Sequence, residues 1–154
     1  MKKSIIVLAA LCGTLVHAQL VAQLPRVKGA ARVKLKMENP WRPAANADRA
    51  KKGDYFSPKG TMTVVGFIKN APKKYIIVPN EIYTRIKKKQ IPFRKGNTPT
   101  WRYYAYWIKT DAITTVTLIG RSGARAVNVN AIFTKPITQK DVDAVIRMGA
   151  SARV

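Results

Sequence analysis

Acidic residues, histidine and cysteine are scarce in this 154-residue sequence. It carries 7 Asp and Glu against 29 Lys and Arg, for a formal net charge of +22. Its single cysteine is Cys12 and its single histidine is His17. One cysteine cannot form an internal disulfide, and one histidine cannot build a His/Cys metal cluster. No apolar run beyond the N-terminal region approaches the ~20 residues needed to span a bilayer as a helix. Seven carboxylates also leave few ways to assemble an acid/base pair.

The N-terminus reads MKKSIIVLAALCGTLVHAQ. Lys2 and Lys3 form a positive n-region, Ile5 to Val16 a short apolar stretch, and Val16-His17-Ala18 a cleavage-site pattern. This is the layout of a secretory signal peptide over 1–18, cut after Ala18 or, as the alternative, after Ala22. Leu11 before Cys12 puts a bulky residue where a lipoprotein leader needs a small one, which disfavours lipidation. Cleavage after Ala18 removes both Cys12 and His17, and with them any thiol nucleophile or imidazole base. It also removes Lys2 and Lys3, lowering the formal charge from +22 to +20. Residues 19–30 read as a flexible lead-in, and 31–154 as a single β-rich domain.

The mature chain shows mostly short, β-branched segments. ARVKLKM (31–37) alternates Val33, Leu35 and Met37 with Arg32, Lys34 and Lys36, the pattern of a half-buried strand. ENPWRPAANADRAKKGD (38–54) reads as a long loop with Trp41 tucked in as a plug. TMTVVGFIK (61–69), KYIIV (74–78) and EIYTRI (81–86) read as strands, and KKKQIPFRKGNTPT (87–100) as a basic connection. WRYYAYWIK (101–109), ITTVTLIG (113–120) and ARAVNVNAIF (124–133), joined by TDA and RSG, predict a three-stranded antiparallel meander. The period then changes. Thr138 with Asp141 resembles a capping box, Val142, Val145 and Ile146 share one face, and Gly149 follows Arg147. This predicts one amphipathic helix over 139–148. The expected fold is an immunoglobulin-like antiparallel β-sandwich with one short C-terminal helix, the alternative being an OB-like barrel.

Catalytic motifs find little support. Gly120-Arg121-Ser122-Gly123 lacks the spacing of a nucleophile elbow, has no histidine partner and falls between two strands. Asp141 and Asp143 belong to a helix start, Asp111 to a turn and Glu81 to a strand start among lysines. No carboxylate pair of glycosidase type or calcium loop emerges. The sequence is therefore read as non-catalytic, with no cofactor, metal or dedicated small-molecule substrate.

The strongest positive feature is charge. From Lys69 to Arg102 ten basic residues face a single acid, Glu81. Such a field selects polyanions: acidic glycan, lipopolysaccharide, anionic lipid head groups or, non-specifically, nucleic acid. The chain has three Trp, six Tyr and four Phe, and five of these rings fall between Trp101 and Trp107. Strand parity puts Trp101, Tyr103 and Trp107 on one face, assigned to the core, and Tyr104 and Tyr106 with Arg102 on the other. The candidate polyanion- or partner-binding residues are Lys73, Lys74, Arg85, Lys87, Lys88, Lys89, Arg94, Lys95, Arg102, Tyr104 and Tyr106.

The leader MKKSIIVLAALCGTLVHA followed by a small basic Ig-like domain resembles the small secreted envelope proteins associated with type IV pilus assembly in Gram-negative bacteria. The resemblance lies in overall layout, and no functional residue carries over from it. It implies a location in the periplasm, outer membrane or cell surface, envelope or pilus-associated protein partners, and an accessory or adhesion role. The chain has no prepilin leader and no long apolar N-terminal helix, so the resemblance does not extend to the fibre subunit.

Overall fold

The computed structural model describes residues 27–46 and 54–154. The signal-peptide reading of 1–18 and most of the lead-in lie outside the described residues. Seven strands occur among those described: β1 (Arg42–Pro43), β2 (Asp54–Ser57), β3 (Gly60–Phe67), β4 (Phe93–Asn97), β5 (Arg102–Lys109), β6 (Thr114–Ser122) and β7 (Arg125–Phe133). Two helices accompany them, α1 (Asn80–Lys87) and α2 (Gln139–Ala150), with a 3₁₀ turn at Lys73–Tyr75. All seven strands form one sheet in the order β1-β2-β3-β7-β6-β5-β4, with every neighbouring pair antiparallel. The protein is mainly β with one C-terminal helix, as the sequence implies.

β5, β6 and β7 form the expected meander, and β3 returns from earlier in the chain to pair with β7 from Gly60↔Phe133 to Phe67↔Ala126. One face of this sheet carries Met62, Val64, Val116, Leu118, Val127, Val129, Ala131 and Phe133, all buried in the main core cluster. α2 closes that face with Val142, Val145, Ile146 and Met148. Gly149 permits the close approach: a Cβ there would lie 3.1 Å from both Leu118 and Val129 side chains. Trp41 is buried and meets Phe133 edge-on at 5.7 Å, so the 38–54 loop does supply a plug.

Among the described residues three ion pairs surround α2: Lys59–Asp141, Arg94–Asp143 and Arg147–Glu38. Partly exposed pairs contribute about 0–1 kcal/mol each, against about 1.5–3 kcal/mol for each large aliphatic side chain buried. Apolar burial therefore docks the helix, and the pairs set its orientation. At its start the Asp141 carboxylate accepts hydrogen bonds from the Thr138 backbone N–H at 2.7 Å and hydroxyl at 3.0 Å.

Three expectations need correction. The segments 74–78 and 81–86 are not strands but the 3₁₀ turn and α1. Pro79 precedes the helix, Glu81 lies in its first turn, and Arg85 and Lys87 in its last, which complements the helix dipole. Ile82 and Ile86, four residues apart, are its half-buried positions, so a period of 3.6 outweighed β propensity. Residues 31–37 keep the foreseen alternation of exposure, yet among the described residues they make two isolated bridges, Ala31↔Gly66 and Lys34↔Arg153, in place of a strand. Finally, the basic connection 87–100 contains strand β4, an edge strand whose charges hid it.

Candidate functional site: the basic face opposite the C-terminal helix

The face of the sheet turned away from α2 is set by the register. One row across it runs Asn97–Arg102–Arg121–Ala126–Phe67, and the next Lys95–Tyr104–Ile119–Asn128–Val65. At the β3/β7 side this face is covered. Phe67, Ala126 and Ile119 are buried, Tyr75 of the 3₁₀ turn packs on Phe67 at 5.3 Å, and the Asn128 amide donates to the Tyr75 carbonyl at 3.4 Å. At the Arg102–Tyr104 end of β5 it opens.

There Tyr104 is 44% exposed and stacks on Phe93 with ring centroids 5.9 Å apart and planes 18° apart. Lys95 stands opposite Tyr104 in the register. Arg102 and Arg121 face one another across β5 and β6, both exposed, and among the described residues neither has a carboxylate within ion-pair distance. Two like charges directly opposite on a sheet cost roughly 0.2–1 kcal/mol with no partner between them. A bound phosphate, sulfate or carboxylate would reverse the sign of that interaction.

The expected site residues thus separate into groups. Lys95, Arg102 and Tyr104 converge on this open patch. Lys73 and Lys74 sit on the 3₁₀ turn and Arg85 and Lys87 on α1, followed by Lys88 and Lys89. All are exposed, on the connection whose Tyr75 covers part of the same face. The Lys87 ammonium rests 4.7 Å from the Tyr83 ring centre, and that of Lys74 5.0 Å from the Tyr75 ring centre.

Arg94 departs from the group. By strand parity it points to the α2 side, where it donates to Asp143 at 3.0 Å and lies 5.8 Å from the Trp107 ring centre. It is a strut between β4 and α2. Tyr106 also departs: the expected exposed ring is buried at 8%, in the register row between Phe93 and Thr117. Burial raises its phenol above the ordinary range, while a hydrogen bond with Thr117 acts the other way. Trp101 is fully buried and donates from its indole N–H to the Ala152 carbonyl at 2.7 Å, whereas Tyr103 and Trp107 are partly buried against the core.

Sequence reasoning missed Arg121 and Phe93. Arg121 read as part of a hairpin turn, though β6 extends through Ser122 and pairs it with Arg102. The register of the meander, counted back from its turn, is the signal that would have found it.

A separate cleft of about 460 Å³ lies on the other side of the molecule, between the β5–β6 turn and the link from β7 to α2. It is walled in part by Trp107, Phe133 and Ile137, and Asp111 is the carboxylate in its lining. Among the described residues no three Asp, Glu, His or Cys side chains group as metal ligands. No helix among them is long and apolar enough to cross a membrane.

No family model matches the chain, and no curated protein matches it. A solved protein from Bacteroides thetaiotaomicron VPI-5482 is similar over 79% of this chain, at 17% identity and a TM-score of 0.45. The match spans only 44% of that protein's own length, and so distant a likeness carries no conclusion about fold or activity.

Proposed function

We propose that this is a non-catalytic, exported envelope protein that binds an anion-bearing partner through the face opposite α2. The observation that carries this reading is the facing pair Arg102 and Arg121, unneutralised and flanked by Lys95 and the Phe93–Tyr104 stack. Guanidinium groups engage phosphate, sulfate and carboxylate in bidentate fashion, and an exposed aromatic stack offers a surface for a sugar or base. The ligand chemistry is that of lipopolysaccharide, anionic lipid head groups or acidic glycan. The leader-like N-terminus makes these more accessible to the protein than nucleic acid.

Equal charge changes at two places test the site. Reversal to Glu at Lys95, Arg102 and Arg121 is expected to weaken heparin and lipopolysaccharide binding at least tenfold more than reversal at Lys28, Lys34 and Lys36. Each tenfold corresponds to about 1.4 kcal/mol. Equal losses would reduce the interaction to net charge and remove the site. Reversal at Lys87, Lys88 and Lys89 measures the share carried by α1 and its end.

Protein contacts, accessory to pilus or outer-membrane assembly or to adhesion, form the second reading. It is favoured by β4, which ends the sheet and leaves an edge to which an extended partner strand can add. Between the two finer architectures, the sheet ends of β1 and β4, unpaired among the described residues, favour an open, immunoglobulin-like arrangement over a closed OB-like barrel.

A further inference from the structure

The connection between β3 and β4 combines strong positive charge with exposed apolar side chains. It carries Lys69, Lys73, Lys74, Arg85, Lys87, Lys88 and Lys89 against one acid, Glu81. It also holds three of the four large hydrophobic side chains most exposed among the described residues: Ile68 at 58%, Ile77 at 48% and Tyr83 at 51%. The fourth, Tyr104, belongs to the open patch on the sheet. On α1, Ile82 and Ile86 are half-buried, while Tyr83 and Lys87 stand outward one turn apart. An outward tyrosine with a lysine arching over its ring is an arrangement suited to a membrane interface. There the ring sits at head-group depth and the ammonium reaches the phosphates.

We infer that residues 68–89 are a docking element for an anionic lipid bilayer surface, with Ile68, Ile77 and Tyr83 entering the interface and the surrounding lysines contacting lipid phosphates. This inference rests on the anion-binding reading above and names the source of the anion. Aliphatic side chains decide the source. Soluble glycans, polyphosphates and nucleic acids reward donors and flat rings, and offer nothing to bury an isoleucine. A bilayer interface does, at about 0.8 kcal/mol per buried CH₂, while each lysine near an anionic surface adds roughly 1 kcal/mol. Charge brings the protein to the surface, and the apolar side chains hold it there when salt screens the charge.

The test uses vesicles of phosphatidylglycerol mixed into phosphatidylcholine, with pure phosphatidylcholine vesicles and soluble heparin as comparators. In the variant Tyr83→Trp, the emission of the introduced indole is expected to shift to the blue and to be quenched by brominated acyl chains with the anionic vesicles alone. The double variant Ile68→Ser, Ile77→Ser, which leaves the charge unchanged, is expected to lose about tenfold in vesicle affinity, or about 1.4 kcal/mol, and to keep its heparin affinity. All three positions are exposed, and an unchanged melting midpoint confirms the fold of each variant. Retained heparin binding without a blue shift of the introduced indole, or with no effect of the Ser substitutions on vesicles, would overturn the bilayer inference and leave the anion-binding reading standing. Loss of both vesicle and heparin binding at physiological salt would remove both.

Discussion

At the scale of single residues, close approach and like charge have opposite consequences. Gly96 on β4 lies beneath the Tyr103 ring across the strand pair, and a Cβ at this position would meet the Tyr103 Cζ and hydroxyl oxygen well inside contact distance. A glycine in a strand is otherwise a liability of about 0.5–1 kcal/mol, but overpacking costs about 1–3 kcal/mol. Gly96→Ala should therefore destabilise the protein despite its better backbone entropy, as a lower urea midpoint would register. Arg121 behaves in the reverse way. Its removal relieves repulsion from Arg102, so Arg121→Ala should leave the melting midpoint unchanged or raised, yet elute earlier from immobilised heparin. A fall in both stability and binding would instead mean that Arg121 is structural. Neither residue is marked by its immediate sequence neighbours, because each acts through a residue on another strand.

At the scale of elements, α2 is the best-specified segment and the one most exposed to acid. Its cap, apolar face and terminal charges were legible in the sequence, since all are local and recur at a period of 3.6 residues. Its three ion partners, Lys59, Arg94 and Glu38, were not, because they come from distant parts of the chain. The Arg147 guanidinium holds the Glu38 carboxyl below its ordinary range, with slight burial opposing. Burial pushes Asp141 up, but hydrogen bonds from the Thr138 backbone, the Lys59 ammonium and the Thr138 hydroxyl bring it down on balance. The Gln139 amide lowers Asp143 most, burial opposes it, and Arg94 and Arg147 add to the lowering. Depressed folded-state values mean stability that is complete above the unfolded carboxylate range, near pH ~4, and lost as pH falls through the lower folded values. The melting midpoint should fall as pH drops below about 4, and the variant Glu38→Gln, Asp141→Asn, Asp143→Asn should fall less steeply. Parallel curves would show that these pairs carry no linkage. The segment 74–86 shows the opposite case: its isoleucines and tyrosines suited strand and helix alike, and the choice fell to Pro79, the end charges and the Ile82–Ile86 spacing.

At the scale of the whole molecule, charge is distributed by side. Glu38, Asp141 and Asp143 are all engaged in ion pairs around α2, whereas Lys95, Arg102 and Arg121 open onto the other face without acidic partners among the described residues. A chain with a formal charge of +22 is drawn to any polyanion, so affinity alone says little. The salt dependence is more informative. If the open face is the contact, Arg102→Ala and Arg121→Ala should each reduce the slope of log affinity for heparin against log salt by about 1, and Lys34→Ala should leave it unchanged. A uniform small effect of all three substitutions would indicate a diffuse attraction without a defined surface.

The linear sequence by itself determined the β-rich class, the β5–β6–β7 meander, the C-terminal helix with its cap, the Trp41 plug and the excess of positive charge. All of these follow from composition or from patterns within a few neighbouring residues. Tertiary structure alone decided that Arg94 braces α2, that Tyr106 is buried and Tyr104 is not, and that Arg102 meets Arg121. Each of these depends on which strand lies alongside which and on what covers each face of the sheet. Parity within a strand assigns a side chain to a face, but only packing determines whether that face meets solvent.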